Sequence, residues 1–295
     1  MKKMLLVVNP YAGTRKAYKQ LADIVTVFNR GEYDVSVYMT ECAGDAAAVV
    51  RQRAQDVDVV TCCGGDGTFN ETVSGLLESG ADIPVGYIPA GSTNDFAASL
   101  QLSTDLTEAA KRIVDGKPQP YDVGRFGDRY FSYVASFGAF TRASYATPQS
   151  IKNALGYTAY LLEGIQELSQ IKNVPVMLET ENEIIEDKFL FGAVCNSTSL
   201  GRLFTLDPKQ VDMSDGKFEL LLVRAPKDLT EVRECLQALK RQQYDCGMIT
   251  FRSTSFVRLW TDPTMPWSLD GERQEGSEKI FVNNLHHAIG LMKKE

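Results

Sequence analysis

The octet Gly64-Gly65-Asp66-Gly67-Thr68-Phe69-Asn70-Glu71 follows the apolar run Val57-Asp58-Val59-Val60-Thr61-Cys62-Cys63. A strand, a glycine loop and a helix start, in that order, bring backbone N–H groups together at one point. Glycine has no Cβ and accepts φ > 0, so successive amides can approach phosphate oxygens closely. A helix starting near Thr68 adds its free N–H groups and the positive end of its dipole. Asp66 places a carboxylate inside this anion site. Carboxylate and phosphate repel, so the combination calls for a divalent cation between them. The plain alternative is a tight strand-to-helix turn, which a glycine pair alone would satisfy.

Two further segments share this grammar. The apolar run Ile83-Pro84-Val85-Gly86-Tyr87-Ile88 leads into Pro89-Ala90-Gly91-Ser92-Thr93-Asn94-Asp95-Phe96. The first apolar run leads into Asn9-Pro10-Tyr11-Ala12-Gly13-Thr14-Arg15-Lys16, which supplies turn residues and then two cations. In a parallel sheet all three loops leave the carboxyl ends of strands, where open α/β sheets bind ligands. The Gly-x-x-x-x-Gly-Lys-Ser/Thr loop is absent, so a metal ion must carry more of the charge neutralisation, helped by Arg15 or Lys16. Near the C-terminus stands Ser268-Leu269-Asp270-Gly271-Glu272. If extended, it points Asp270 and Glu272 the same way, and paired carboxylates raise each other's proton affinity, which suits a general base. A surface hairpin with an Asp-Gly turn is the alternative that sequence alone favours.

Asn-Pro-x-x-Gly at 9–13, Gly-Gly-Asp-Gly-Thr-x-Asn-Glu at 64–71 and Pro-x-Gly-Ser-x-Asn-Asp-Phe at 89–96 resemble the diacylglycerol kinase catalytic-domain family. That family covers diacylglycerol, sphingosine and ceramide kinases and their soluble bacterial relatives. Thr40-Glu41-Cys42-Ala43-Gly44-Asp45-Ala46 is similar to a further family element, and Asp270-Gly271-Glu272 resembles its catalytic one. Gly-Gly-Asp-Gly-Thr alone is shared with NAD kinases, whereas five elements in order, from Asn9 to Glu272, are specific.

The resemblance implies an ATP- and Mg²⁺-dependent kinase acting on a lipid hydroxyl, diacylglycerol or a related amphiphile. It implies a nucleotide site formed by Asn9, Thr40, Gly65, Asp66, Gly67, Thr68, Phe69, Asn70, Glu71, Ser92, Asn94 and Asp95. It implies a carboxylate and water network of Asp66, Asp95 and Asp122 around the catalytic Mg²⁺, where the plain reading of Asp95 and Asp122 is capping. It makes Asp270 or Glu272 the base. The turn Asp212-Met213-Ser214-Asp215-Gly216-Lys217-Phe218 resembles a structural Mg²⁺ site, with Asp212, Asp215 and the Lys217 carbonyl as hard oxygen ligands; a metal-free Asx turn is the equal alternative. Ser92 replaces a common Thr and keeps its hydroxyl, while Ala98 replaces a common Arg and removes a cation near the phosphates.

Composition sets the frame. With 295 residues and 44% hydrophobic content, one large or two ordinary domains with ample core are expected. No run approaches the roughly 18 apolar residues of a membrane span, and the opening apolar run is too short for a signal peptide. A soluble, cytoplasmic protein is expected. The net charge of −7 and the lack of a basic patch argue against nucleic acid and against bulk attraction to anionic lipid. A lipid kinase of this charge needs local, transient contacts with the membrane surface; a homodimer is compatible with the reading. The six cysteines form no Cys-x-x-Cys pair, and Cys62, Cys63 and Cys195 read as buried free thiols. His286 and His287, the only histidines, sit in an alternating segment without a motif.

Up to about residue 120, apolar runs at 4–8, 33–39, 57–63 and 83–88 alternate with helical patterns at 15–30, 43–55, 68–79 and 94–115. That alternation predicts a parallel sheet covered on both faces. Gly124–Phe131 then predicts a hairpin turning at Gly127-Asp128, followed by strand-like runs at 174–180, 184–196, 217–224, 249–260 and 279–293. Only 150–170 and 228–243 look helical; 153–168, with two tyrosines, reads as core or as the lining of a lipid entry. The resemblance implies a phosphofructokinase-like α/β nucleotide domain (1–122 with 286–295) and a mostly antiparallel β-sandwich for the lipid (123–285), with the catalytic cleft between them. An NAD kinase-like enzyme is the enzymatic alternative, although its Gly/Ala/Thr-rich dinucleotide-binding segments are not found. A non-catalytic lipid- or nucleotide-binding protein is the other, and intact Asp66, Asp95, Asp270 and Glu272 argue against it.

Overall fold

The computed structural model describes residues 1–138, 174–200, 204–224, 229–244 and 246–294. The chain divides into two compact units: Met1–Tyr133 with Asn196–Gly216 and Asn284–Glu295, and Val134–Cys195 with Lys217–Asn283. The hairpin residues 123–133 and the segment 196–216 thus group with the first unit rather than with the β-rich region.

The first unit is built on parallel strands β1 (Lys2–Val8), β2 (Tyr33–Met39), β3 (Val59–Gly64) and β4 (Val85–Pro89), in the order β4-β3-β1-β2. Met4 to Val8 are all fully buried, as a strand covered on both faces requires. Met4, Leu6 and Val8 join one core with Ile24 and Phe28 of α2 (Leu21–Arg30) and with Leu106, Ala109 and Ile113 of α6 (Leu106–Val114). Leu5 and Val7 alternate to the other face. There α3 (Asp45–Arg53) packs on α4 (Asp66–Ser79).

The helical patterns at 15–30 and 94–115 each break in two. A short α1 (Lys16–Lys19) precedes α2, and α5 (Asp95–Ser99) precedes α6. The second break has a local cause: Asp105 caps α6, its carboxylate accepting the Glu108 N–H at 2.8 Å. β5 (Lys117–Phe126) and β6 (Arg129–Phe131) form the expected hairpin, with Gly127 at φ +57° in its turn. A short pair, β10 (Ser199–Leu200) with β11 (Phe204–Thr205), completes the unit.

The second unit is antiparallel. β7 (Val134–Gly138), β8 (Val174–Glu179) and β12 (Phe218–Arg224) each pair with the long β9 (Ile184–Cys195). β13 (Ile249–Thr254) pairs with β12, β14 (Phe256–Trp260) with β8, and β15 (Trp267–Leu269) with β7 and β16 (Glu272–Gln274). The helix Leu229–Lys240 stands where 228–243 looks helical. The long β17 (Lys279–Lys293) starts here against β14 and ends in the first unit, parallel to β4 at Leu291 and Val85. The helical pattern at 150–170, with its tyrosine stripe, lies outside the described residues.

Candidate active site

The three glycine-bearing loops of the first unit pack backbone to backbone. A Cβ on Gly91 would lie 2.6 Å from the Gly65 Cα, and one on Gly13 only 2.5 Å from the Ala90 carbonyl oxygen. These glycines let the ends of β1, β3 and β4 close on one another. The turn after β3 is tighter than the sequence suggests. Gly65 alone links strand and helix, and Asp66 and Gly67 already form the first turn of α4. A Cβ on Gly64 would meet Thr68 at 2.6 Å, so the bare backbone allows this turn. The first intrahelical bond runs from Phe69 N–H to Gly65 O, leaving the N–H groups of Asp66, Gly67 and Thr68 without an intrahelical acceptor.

Side chains lock these loops. Asn9 donates to Thr68 Oγ1 at 3.1 Å and accepts the Tyr11 N–H at 2.9 Å, tying the end of β1 to α4. Asn94, at φ +53°, accepts the Gly91 N–H and donates to the Gly91 carbonyl, both at 2.9 Å, while Ser92 is exposed in the same loop. Thr40 is buried beside β1, its N–H bonded to Val8 O at 2.9 Å. Glu71 accepts the N–H groups of Gly44 and Ala46 at 2.8 and 3.2 Å, capping α3. Asn70 donates to Tyr130 O, and Phe69 stacks between Tyr87 and Phe96 in the core. The expected nucleotide residues therefore separate into a loop-facing group and a supporting group: Phe69, Asn70 and Glu71 hold neighbouring elements in place.

Asp66 accepts the N–H groups of Asp95 and Phe96 at 3.0 and 3.3 Å, capping the first turn of α5. Burial pushes its carboxyl up to about 6, helped by the charge of Asp95 and opposed by the two amide bonds and the Tyr87 hydroxyl 3.5 Å away. Burial, then the charge of Asp66, holds the Tyr87 phenol well above its ordinary range. Asp95 is itself buried and accepts the Ser199 hydroxyl at 2.9 Å. Sequence reasoning missed Tyr87 and Ser199. Tyr87 looks like an ordinary strand residue, and Ser199 is 104 positions from Asp95 with no motif around it.

The Asp122 carboxylate is bonded elsewhere in this unit, to the N–H groups of Gly216 at 2.7 Å and His287 at 2.8 Å. Its own N–H donates to Met213 O at 2.9 Å, and Asn196 donates to its carbonyl at 2.7 Å. Asp122 thus organises the 212–216 turn and the last strand. In that turn Asp212 accepts the Ser214 N–H at 3.0 Å, as an Asx turn does; Asp215 follows it, and Lys217 opens the second unit.

In the second unit, Asp270 and Gly271 have φ +50° and +87° and join β15 to β16, which pair Leu269 with Glu272. This is the two-residue turn with both central φ positive that Asp-Gly favours. The expectation of an extended segment with both carboxylates on one side is therefore corrected. Asp270 is buried, and its carboxylate accepts the Val134 N–H at 3.0 Å, while Glu272 is exposed.

Carboxylates close to free helix N–H groups, at the glycine-walled strand ends of a parallel sheet, form a site of the kind where α/β proteins bind ligands. The diacylglycerol kinase catalytic domain matches residues 3–126. The diacylglycerol kinase of Bacillus subtilis (strain 168) is 30% identical over 297 residues, covering 100% of this chain and 98% of its own length. That of Staphylococcus saprophyticus is 29% identical over 97% of this chain and 94% of its own. A diacylglycerol kinase structure from Bacillus anthracis (strain Sterne) superposes with a TM-score of 0.77 at 21% identity, covering 99% and 97% of the two chains. The chain belongs to the diacylglycerol kinase catalytic-domain family and is a phosphotransferase with an alcohol group as acceptor. Among the described residues no helix is long and apolar enough to cross a membrane.

Proposed function

We propose that the enzyme transfers the γ-phosphoryl group of ATP to the hydroxyl of diacylglycerol or a related amphiphile, with Mg²⁺ required. The observation that carries this reading is the pair Asp66, half-buried, and Asp95, buried, whose N–H Asp66 accepts, beside the open N-terminus of α4. A divalent cation fits there: two hard carboxylates stand close together, and Asp66 is raised first by burial and then by the charge of Asp95, both of which a cation would offset. When bound, that cation would supply charge neutralisation for the phosphates. We keep Asp66 and Asp95 as its holders and group Asp122 with the turn it organises.

The chain's own groups do the rest. The first-turn N–H groups of α4 bind phosphate oxygens, and Asn9 and Asn94 hold the loops in the shape that binding needs. Asp270 or Glu272 takes the proton from the acceptor hydroxyl. Asp212 and Asp215 are offered as the side chains of a second, structural Mg²⁺ site, against the Asx turn that Asp212 already makes. The reading includes a cytoplasmic enzyme in transient peripheral contact with a membrane, working alone or as a homodimer.

The test is incubation with γ-labelled ATP and Mg²⁺ against a panel of lipids in mixed micelles, with NAD as control acceptor. Label in a lipid hydroxyl supports the proposal. Label in NAD alone would make the enzyme an NAD kinase.

A further inference from the structure

We propose that Asp122, His286 and His287 form a binding site for a borderline divalent transition-metal ion such as Zn²⁺, separate from the hard-oxygen Mg²⁺ sites proposed above. Neighbouring residues in a strand normally point to opposite faces. His287 breaks that rule: at φ +53° it turns its ring to the side of His286, and the two ring centroids lie 3.7 Å apart. Both Nε2 atoms converge on the Ser214 carbonyl oxygen, at 3.1 Å from His286 and 3.0 Å from His287. One nitrogen of each ring and one Asp122 oxygen lie within 4.8 Å of one another. Left-handed backbone at a residue other than glycine persists where surrounding structure enforces it, and such residues cluster at functional sites. Here two elements enforce it: Asp122 holds the His287 N–H, and Gly216, where a Cβ would come 3.3 Å from the His286 ring, presses the turn onto that ring.

The donor set decides which ion. Two imidazoles and one carboxylate suit Zn²⁺, Co²⁺ or Ni²⁺, whereas Mg²⁺ prefers oxygen and water. Asp122 is 1% exposed, and no ion pair to it exists among the described residues, so an incoming cation meets a carboxylate held by backbone N–H groups alone. Its two backbone hydrogen bonds fix its orientation and leave lone pairs on both oxygens. Tetrahedral donors at zinc distances stand roughly 3.3 Å apart, a closure that side-chain rotation of the two exposed rings can provide. A bound ion would pin β17 to the 212–216 turn.

The experiment is equilibrium dialysis of the chelator-stripped full chain against Zn²⁺ in a large excess of Mg²⁺, which fills oxygen sites. A parallel titration with Co²⁺ reads imidazole ligation by its visible absorption. The wild type is expected to take up about one Zn²⁺ per chain. The double variant His286→Gln/His287→Gln, which keeps a donor for the Ser214 carbonyl, is expected to bind about tenfold or more weakly and to lose the Co²⁺ band. Melting temperatures in Mg²⁺ check that the variants fold, and each single variant must also weaken binding. No uptake by the wild type, or undiminished uptake by the variants, overturns the proposal.

Discussion

To hold the cation proposed for it, Asp66 would have to be ionised, yet burial resists that, holding its carboxyl at about 6 against an ordinary 3.8. Folding therefore binds an extra proton between these values, so this group's contribution to stability is complete below pH 4 and is lost as pH rises through 6. The difference amounts to about 3 kcal/mol at most. In metal-free protein, the melting temperature of Asp66→Asn relative to wild type should rise as pH goes from 4 to 6.5; a constant difference would mean that Asp66 is not proton-hungry. Adding Mg²⁺ should shrink the effect, because the ion replaces the proton. The proposed base can be tested at the same scale. Asp270→Asn or Glu272→Gln should cut kcat by about 10²–10⁴-fold while ATP binding survives. Wild-type turnover by both would place the base elsewhere. The position of Asp66 at the end of β3 was legible because its glycine neighbours are a local signal. The geometry of Asp270 was legible only as the plainer of two alternatives, since an Asp-Gly pair reads as a turn until a resemblance argues otherwise. The bond from Ser199 to Asp95 spans 104 positions and leaves no local trace.

At the scale of elements, the three strand ends are held together by absent side chains. Gly91→Ala would drive a Cβ to 2.6 Å from the Gly65 backbone, which cannot yield as a flexible side chain can. Overpacking of this kind costs about 1–3 kcal/mol, and the displaced loops should weaken ATP binding, read as a raised KM for ATP. An unchanged melting curve and KM would mean that the loops adapt freely. For the 212–216 turn, Asp215→Ala should lower the melting temperature and abolish its Mg²⁺ dependence; identical curves with and without Mg²⁺ would leave the Asx turn as the better reading. Most elements were legible because period-two and near-continuous apolar runs are strong signals, as in β1, β2 and β9. The short strands β7, β15 and β16 were not, because three to five residues carry too little periodicity. The start of α4 at Asp66 rather than Thr68 was hidden because glycine reads as loop even where close packing, not flexibility, requires it.

At the scale of the molecule, the strand–helix alternation of the first unit and the antiparallel texture of the second were readable, since each is a property of many residues. The grouping of 196–216 with the first unit was not, because contacts between distant segments decide it. Net charge is the whole-molecule property that bears on a lipid substrate. At −7 the protein gains nothing from bulk attraction to anionic lipid, so activity on micelles should not collapse as salt is raised from about 0.05 to 0.2 M. A steep loss would reveal a basic docking surface instead. The most direct test of the whole proposal joins the scales: transfer of label from γ-labelled ATP to diacylglycerol in mixed micelles, by wild type and by Asp66→Ala, with and without Mg²⁺. Wild type should transfer only with Mg²⁺, and Asp66→Ala should transfer nothing while melting cooperatively as a folded protein. Near-normal transfer by Asp66→Ala, or Mg²⁺-independent transfer by wild type, would contradict a metal-centred site at the end of β3.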